Sequence, residues 1–384
     1  MPINPPRRVL ITGATGFIGS RLCEVMAQTG CFIPRAFVHS TASAARITRF
    51  PLDFVIGDLC DLASVRRAVS GCDAVIHLAR GDQAVMSRGL ENVLKASVAH
   101  RVTRFVHMSS VAVYGNSPPP DSVSESAPAK RTDMAYGNMK LAQEKLVLRY
   151  GKRHGLPVVI LRPPNVYGPF AAFTLDLLNK LRNGRLAILD GGRNPCNLVY
   201  VDNLVEATLL ALWKPEAIGE IFFVTDGTEL SWEQCLKDHA ALLGVDIPQI
   251  SSSQLMSFPR SRIFRDSLRA FPRVLLSGEL RSVLRKIPAF DSLEKLLYAG
   301  FQSMPSGFQQ GLRQRVNGPR TLQKNSQRGP LFFRDNIFSA QTRQVAHSSD
   351  KARKLLGYTA SISYREGMAL TEAWLRYSKV LWER

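Results

Sequence analysis

Residues 8–29 constrain the fold more than any other stretch of this chain. The apolar run Val9-Leu10-Ile11 leads at once into Gly13-Ala14-Thr15-Gly16-Phe17-Ile18-Gly19, and Ile18, Leu22, Val25 and Met26 then recur at helical spacing. A strand, a glycine turn and an amphipathic helix, in that order, make a phosphate-binding turn. Gly13 permits the tight reversal, Gly16 lets the backbone approach a pyrophosphate, and Gly19 lets the helix pack closely on a sheet. The start of the helix, around Thr15, Phe17 and Ile18, offers free N–H groups and a positive dipole end to phosphate oxygens. Without its flanking strand and helix the glycine pattern would be a weak signal.

The rest of the first half repeats the alternation. Apolar runs at Arg35–Val38, Asp53–Ile56, Ala74–Leu78, Arg104–Met108 and Pro157–Leu161 are separated by helical patterns at Asp61–Val69, Gly89–His100 and Tyr136–His154. This order predicts an α/β fold, a doubly wound parallel (Rossmann) sheet, joined to a smaller, partly helical C-terminal substrate domain. Residues 1–165 are expected to form the dinucleotide-binding domain, with 196–215 returning to it. Residues 166–384 are expected to form the substrate-binding and cap region, including a basic insertion at about 250–345. Helices are expected there at Phe173–Asn183, after Tyr200-Val201-Asp202 up to Trp213, at Ser231–Leu243, Ser349–Leu356 and Glu366–Trp382, and strands at Leu186–Leu189 and Glu220–Val224.

Composition narrows the class. The 384 residues are 45% apolar, as a globular chain requires, yet no run of 18 apolar residues suggests a membrane span. The first strand begins so early that no signal peptide is expected. Six scattered cysteines, with neither a CxxC pair nor metal-ligand spacing, indicate a reducing compartment and no metal site, so the cytoplasm is the expected location. The net charge of +19 is uneven: Leu255 to Val345 carries 16 Lys/Arg against 5 Asp/Glu. Leu280–Leu297 interleaves apolar residues with Arg281, Arg285, Lys286 and Lys295. Such a helix suits either a cap with a basic outer face or peripheral contact with the anionic inner face of a membrane, and hence a lipid-linked substrate. No RNA or DNA motif accompanies it, so nucleic acid is not an expected partner.

The second informative motif is Tyr136-Gly137-Asn138-Met139-Lys140, preceded by Ser109-Ser110 at the end of the fifth strand. Tyr136 and Lys140 are one helical turn apart and share a face. A phenol with an ordinary pKa near 10 is a poor base at neutral pH, and a nearby cation favours its phenolate. Ser110 at a strand end is suited to orienting a substrate oxygen. Beside a dinucleotide, these groups imply redox chemistry at a hydroxyl or keto carbon, with Ser110, Tyr136 and Lys140 as the catalytic residues. The position about 20 residues past the glycines, where an acid would hold a ribose 2′-hydroxyl, reads Val38-His39-Ser40-Thr41 and has no carboxylate. Arg35, Arg46 and Arg49 are nearby, which puts NADP slightly ahead of NAD.

These segments resemble the extended short-chain dehydrogenase/reductase superfamily, in particular the NAD-dependent epimerase/dehydratase family. The resemblance runs through Thr12–Gly19, Gly57-Asp58-Leu59, His77-Leu78-Ala79, Ser109–Gly115, Tyr136–Lys140, Arg162–Pro169 and Tyr200–Asn203. It implies that Asp58 and Leu59 flank the adenine, that Leu78, Ala79, Tyr136 and Lys140 line the cofactor, and that Asn165 stands at the substrate entrance. Two departures narrow it. Val111 and Ala112 replace the Asp-Glu pair of the family's dehydratases, which argues against dehydration. Cys196-Asn197 replaces an arginine that grips sugar-nucleotide diphosphates, leaving Asn197 and the shifted Arg193 as the expected substrate contacts. The expected function is therefore an NAD(P)-dependent epimerase or oxidoreductase, foremost a 4-epimerase of a sugar nucleotide. A dehydrogenase/reductase of a sterol-like or other hydroxyl substrate is the alternative, and a cofactor-binding sensor or scaffold a third reading. A homodimer is compatible with all three.

Overall fold

Seven parallel strands make the central sheet, in the order β10-β6-β5-β4-β1-β2-β3. The computed structural model describes residues 8–227, 229–254 and 336–381. The strands are β1 (Arg8–Thr12), β2 (Ile33–Val38), β3 (Asp53–Ile56), β4 (Ala74–His77), β5 (Arg104–Met108), β6 (Val158–Arg162) and β10 (Ile221–Phe223). Between β6 and β10 lie β7 (Asn165–Tyr167), β8 (Ile188–Leu189) and β9 (Leu198–Tyr200). The order of connection reverses between β1 and β4, so the carboxyl ends of those two strands open a crevice of the kind where ligands bind in such sheets.

Alternation along β1 divides the core. Val9 and Ile11 point into one layer with Leu22, Cys23 and Met26 of α1 (Phe17–Thr29) and Leu204, Val205 and Ala207 of α6 (Val201–Trp213). Leu10 points to the other face, against α2 (Leu62–Val69), α3 (Leu90–Ala99) and α4 (Ala135–His154) through Val65, Val93 and Val147. All three β1 side chains are fully buried, each contributing about 1.5–3 kcal/mol of burial relative to exposure. Asp61 starts α2 by accepting hydrogen bonds from the N–H groups of Ala63 and Ser64. Gly30 and Gly155 stop α1 and α4 in the left-handed conformation.

The central sheet takes one strand from the chain's second half. β10 joins β6 in parallel, Ile221 beside Ile160 and Phe223 beside Arg162. A separate two-stranded sheet follows Leu161: β7 pairs with β9, setting Asn165 beside Leu198. Helix Asn336–Gln341 is held on β8 by its last side chain. Gln341 Oε1 accepts from Leu189 N–H at 2.8 Å, and its Nε2 donates to the Ala187 carbonyl at 3.2 Å. The basic helix expected at Leu280–Leu297 lies outside the described residues. Among the described residues no helix is long and apolar enough to cross a membrane.

Candidate active site

The glycine turn sits at the carboxyl end of β1, and its backbone leaves little freedom. Gly13 has φ +73°, and a Cβ there would meet the Leu78 and Ala79 backbone at 2.8 Å. A Cβ on Gly19 would collide with the Gly13 carbonyl and the Ala14 backbone. Gly16 is different: it is exposed, and a Cβ there would meet only the Gly13 carbonyl, at 3.2 Å. The side open to solvent at Gly16 is the one a pyrophosphate would approach. Gly16 is also the N-cap of α1, with no side-chain cap and no acid in the first turn. The helix start thus keeps its N–H groups and positive end for an anion, so the residues present fit a dinucleotide. Thr15, Phe17 and Ile18 flank this point, half-buried.

The other residues expected to hold the cofactor follow the carboxyl ends of β4 and β3. Leu78 N–H donates to the Thr12 carbonyl at 3.1 Å, which continues β4 alongside β1 and brings Leu78 and Ala79 to Gly13. Asp58 is exposed beyond β3, its carboxylate accepting from Cys60 N–H at 2.8 Å, with Leu59 following half-buried. Of the three arginines near the ribose end, Arg35 is committed elsewhere: its Nε donates to Asp53 at 2.6 Å and its Nη1 to the Ser70 carbonyl at 2.6 Å. Arg49 reaches Glu24 at 3.5 Å, and Arg46 lies over the Phe170 ring at 4.6 Å.

Ser110, Tyr136, Asn165 and Asn197 line one cavity of about 600 Å³. Two local features shape its walls. Gly137 lets α4 press against the Ala112 carbonyl, where any side chain would collide, and its neighbour Tyr136 lines the same cavity as Ser110. Behind it, a buried network fixes that strand end: Glu144 accepts from Ser109 Oγ at 2.5 Å and from Arg162 at 2.7 and 2.8 Å, and Arg162 also donates to the Tyr114 hydroxyl at 2.8 Å. Ser110 Oγ accepts from Ala112 N–H at 3.2 Å and donates to the Pro163 carbonyl at 3.3 Å. Lys140 is buried beneath, its ammonium donating to the Met108 carbonyl at 2.8 Å. Burial, reinforced by Arg80, lowers the Lys140 pKa to about 8 against the opposing pull of Glu144. Burial raises the Tyr136 pKa, and Arg80 opposes that rise.

Residues 9–224 match the family model described as the NAD dependent epimerase/dehydratase family, more than half of the chain. The chain belongs to that family. It is an enzyme of the extended short-chain dehydrogenase/reductase type. It is 32% identical over 231 residues to the 4-hydroxy-2-methyl-3-oxo-4-farnesyl-3,4-dihydroquinoline-1-oxide ketoreductase of Stigmatella aurantiaca, covering 57% of this chain and 68% of that protein. It is 31% identical over 265 residues to a dTDP-glucose 4,6-dehydratase of Streptomyces niveus, covering 61% and 78%. Its fold is similar to the solved structure of a UDP-glucuronic acid 4-epimerase from Bacillus cereus in complex with NAD, with a TM-score of 0.62 and 19% identity over 97% and 99% of the two chains.

In this family member the cavity also contains residues that the sequence did not single out: Arg80, Asn116, Arg343 and His347. Arg343 Nη2 donates to Asn116 Oδ1 at 3.0 Å, while its buried Nε has no partner among the described residues. Burial lowers the Arg343 pKa. His347 Nδ1 is 2.8 Å from the Ser122 carbonyl, and burial lowers its pKa to about 4. Asn197 clamps this C-terminal segment: its Nδ2 donates to the Val345 carbonyl at 2.8 Å and its Oδ1 accepts from His347 N–H at 2.9 Å. Arg193 stays outside this cavity. It is exposed in the adjoining cleft, with Glu229 and Arg353. Arg80 was open to discovery from sequence, as a charge directly after the Leu78-Ala79 pair. Arg343 carried no local signal.

Proposed function

We propose that the protein is an NAD(P)-dependent epimerase/oxidoreductase acting at a hydroxyl or keto carbon, with 4-epimerisation of a sugar nucleotide as the leading activity. One observation carries this reading: a single cavity of about 600 Å³ presents the hydroxyls of Ser110 and Tyr136 together with the guanidinium groups of Arg80 and Arg343. The hydroxyls suit a reacting carbinol. The guanidinium of Arg343, a lining residue of the cavity, suits an anionic group on the same substrate. Arg343 thereby supports the diphosphate grip that Cys196-Asn197 lacks.

Ser110 holds the substrate oxygen and Tyr136 takes its proton as the carbonyl forms. A dinucleotide held at the glycine turn would supply hydride acceptance and, for an epimerase, hydride return. Lys140, anchored on the Met108 carbonyl, sits below the Tyr136 helix turn, where it can reach a cofactor ribose. Val111 and Ala112 offer no acid or base for removing water. The loop after β2 has no carboxylate to repel a 2′-phosphate, so NADP is accepted as well as NAD.

A second reading, reduction of a ketone with release of the product, is favoured by the ketoreductase relative at 32% identity. Purifying the full chain and identifying its retained dinucleotide separates the two. Tightly held NAD, with turnover of UDP- or dTDP-hexoses, supports the epimerase. Loosely held, exchangeable NADP supports the reductase. A protein that binds neither dinucleotide is incompatible with both. In either case Tyr136→Phe is expected to lower kcat by about 10²–10⁴-fold while dinucleotide binding survives. Unchanged turnover would remove Tyr136 from the mechanism.

A further inference from the structure

Tyr136 needs a cation if it is to work as a base, and the residue expected to supply it has another engagement. The Lys140 ammonium is buried, and it donates to the Met108 carbonyl at the end of β5. The cation against the phenol is Arg80. Its guanidinium carbon is 4.8 Å from the centroid of the Tyr136 ring, over the face of that ring. It reaches there from the loop after β4, and no carboxylate among the described residues pairs with it.

We propose that Arg80 is the positioning residue that readies Tyr136 to give up and regain its proton, acting through the face of the ring. The physical basis is the charge distribution of a phenolate. A cation over an aromatic face is attracted by the ring's electron density, and that attraction grows when ionisation spreads negative charge into the ring. Arg80 thus stabilises the phenolate more than the phenol. It takes no proton itself, since a guanidinium stays charged throughout the working pH range. Consistent with this, Arg80 opposes the upward effect of burial on Tyr136, and it also lowers the Lys140 pKa.

The other charged or titratable groups facing this region are Lys140 on the same helix, Asp133 just before it, and Arg343 and His347 across the cavity. Asp133 works against the phenolate. His347 is neutral above its lowered pKa of about 4. Neither Asp133 nor His347 can therefore replace Arg80. The consequence for catalysis rests on the reading of Tyr136 as the proton-transfer group, but the test below does not.

Nitration by tetranitromethane reads the phenolate fraction of each tyrosine without substrate or cofactor. The full chain, Arg80→Gln and Arg80→Lys would be nitrated across a pH series, and Tyr136 modification measured by peptide mass. Tyr377, 90% exposed, is the internal reference for reagent and fold. In Arg80→Gln the Tyr136 rate is expected to fall about threefold or more relative to Tyr377, with its pH midpoint displaced upward. Arg80→Lys is expected to keep most of the parent rate. An unchanged or faster rate in Arg80→Gln overturns the proposal, because the guanidinium would then be merely covering the ring. A protein that proved to bind no dinucleotide would refute the proposed function and leave this result readable.

Discussion

The glycine turn and the C-terminal wall of the cavity lined by Ser110 and Tyr136 are built in opposite ways. Gly13, Gly16 and Gly19 lie within seven consecutive residues, and their geometry is enforced by their own backbone and by the neighbouring Leu78 and Ala79. The cavity wall is assembled across the chain. Arg343 meets Asn116 from 227 positions away, His347 meets Ser122 from 225, and Asn197 clamps Val345 and His347 from about 150. A contiguous motif carries its structure in its residue types. An assembled wall carries it in hydrogen bonds that exist only once the fold has formed.

The comparison breaks most sharply at Gly19. A valine there must push its Cβ into the Gly13 carbonyl, so Gly19→Val is expected to abolish dinucleotide binding in a calorimetric titration and to cost about 1–3 kcal/mol of stability. Retained affinity would mean that the turn is less rigid than its contacts indicate. Next comes the wall. Arg343→Gln is expected to weaken binding of an anionic substrate by about 10–100-fold, while dinucleotide affinity stays within error of the parent. A parallel loss of both would show that the two regions act as one unit.

Asn197→Ala tests the clamp itself. It removes two hydrogen bonds to the 345–347 segment and is expected to lower stability by about 1–3 kcal/mol in chemical denaturation. The segment should then be cut by protease before the sheet is. Unchanged cleavage would assign the clamp no part in holding the wall.

The smallest effect is in the pH dependence. His347 has its pKa depressed by burial from 6.5 to about 4. Above pH 6.5 it is neutral both folded and unfolded. On acidification from 6.5 toward 4 the unfolded chain takes up the proton and the folded chain does not, so stability is lost over that window, by up to about 3 kcal/mol from this residue. Buried His77 acts in the same direction. Asp226 acts in the opposite one, its pKa raised to about 6 by burial and only partly relieved by hydrogen bonds from the Asn203 side chain and the Tyr200 N–H. The informative quantity is therefore the difference between parent and His347→Gln unfolding midpoints from pH 7 to pH 4. The acid loss should be shallower in the variant, and parallel curves would contradict the burial of His347.

Most of the sheet was legible in the sequence because long elements carry redundant signals. α1 begins at Phe17 and ends at Thr29 as its apolar spacing predicts, and β3 and β5 match their expected ranges residue for residue. What escaped was short. β7, β11 (Gln249–Ile250) and helix Asn336–Gln341 have two to six residues each, too few for a period to emerge, and exist because a partner holds them. β10 was recognised as a strand, but its residues give no sign of which sheet will receive it. The parallel register with β6 decides that. In the site, Ser110, Tyr136 and Asn165 come together in the cavity, whereas Arg193 stands in the adjoining cleft.

The parallel sheet, the glycine turn and the helix of Tyr136 are written in the chain itself, because each depends on residues within a few positions of one another: glycines where a Cβ cannot fit, and a tyrosine and lysine on one helical face. The tertiary structure alone decided which cations serve them. Lys140 is drawn to the Met108 carbonyl, Arg80 lies over the Tyr136 ring, and Arg343 arrives from the far end of the chain. A long charged side chain has no fixed place until the fold surrounds it, and its partners are then chosen by burial and distance rather than by neighbours in sequence.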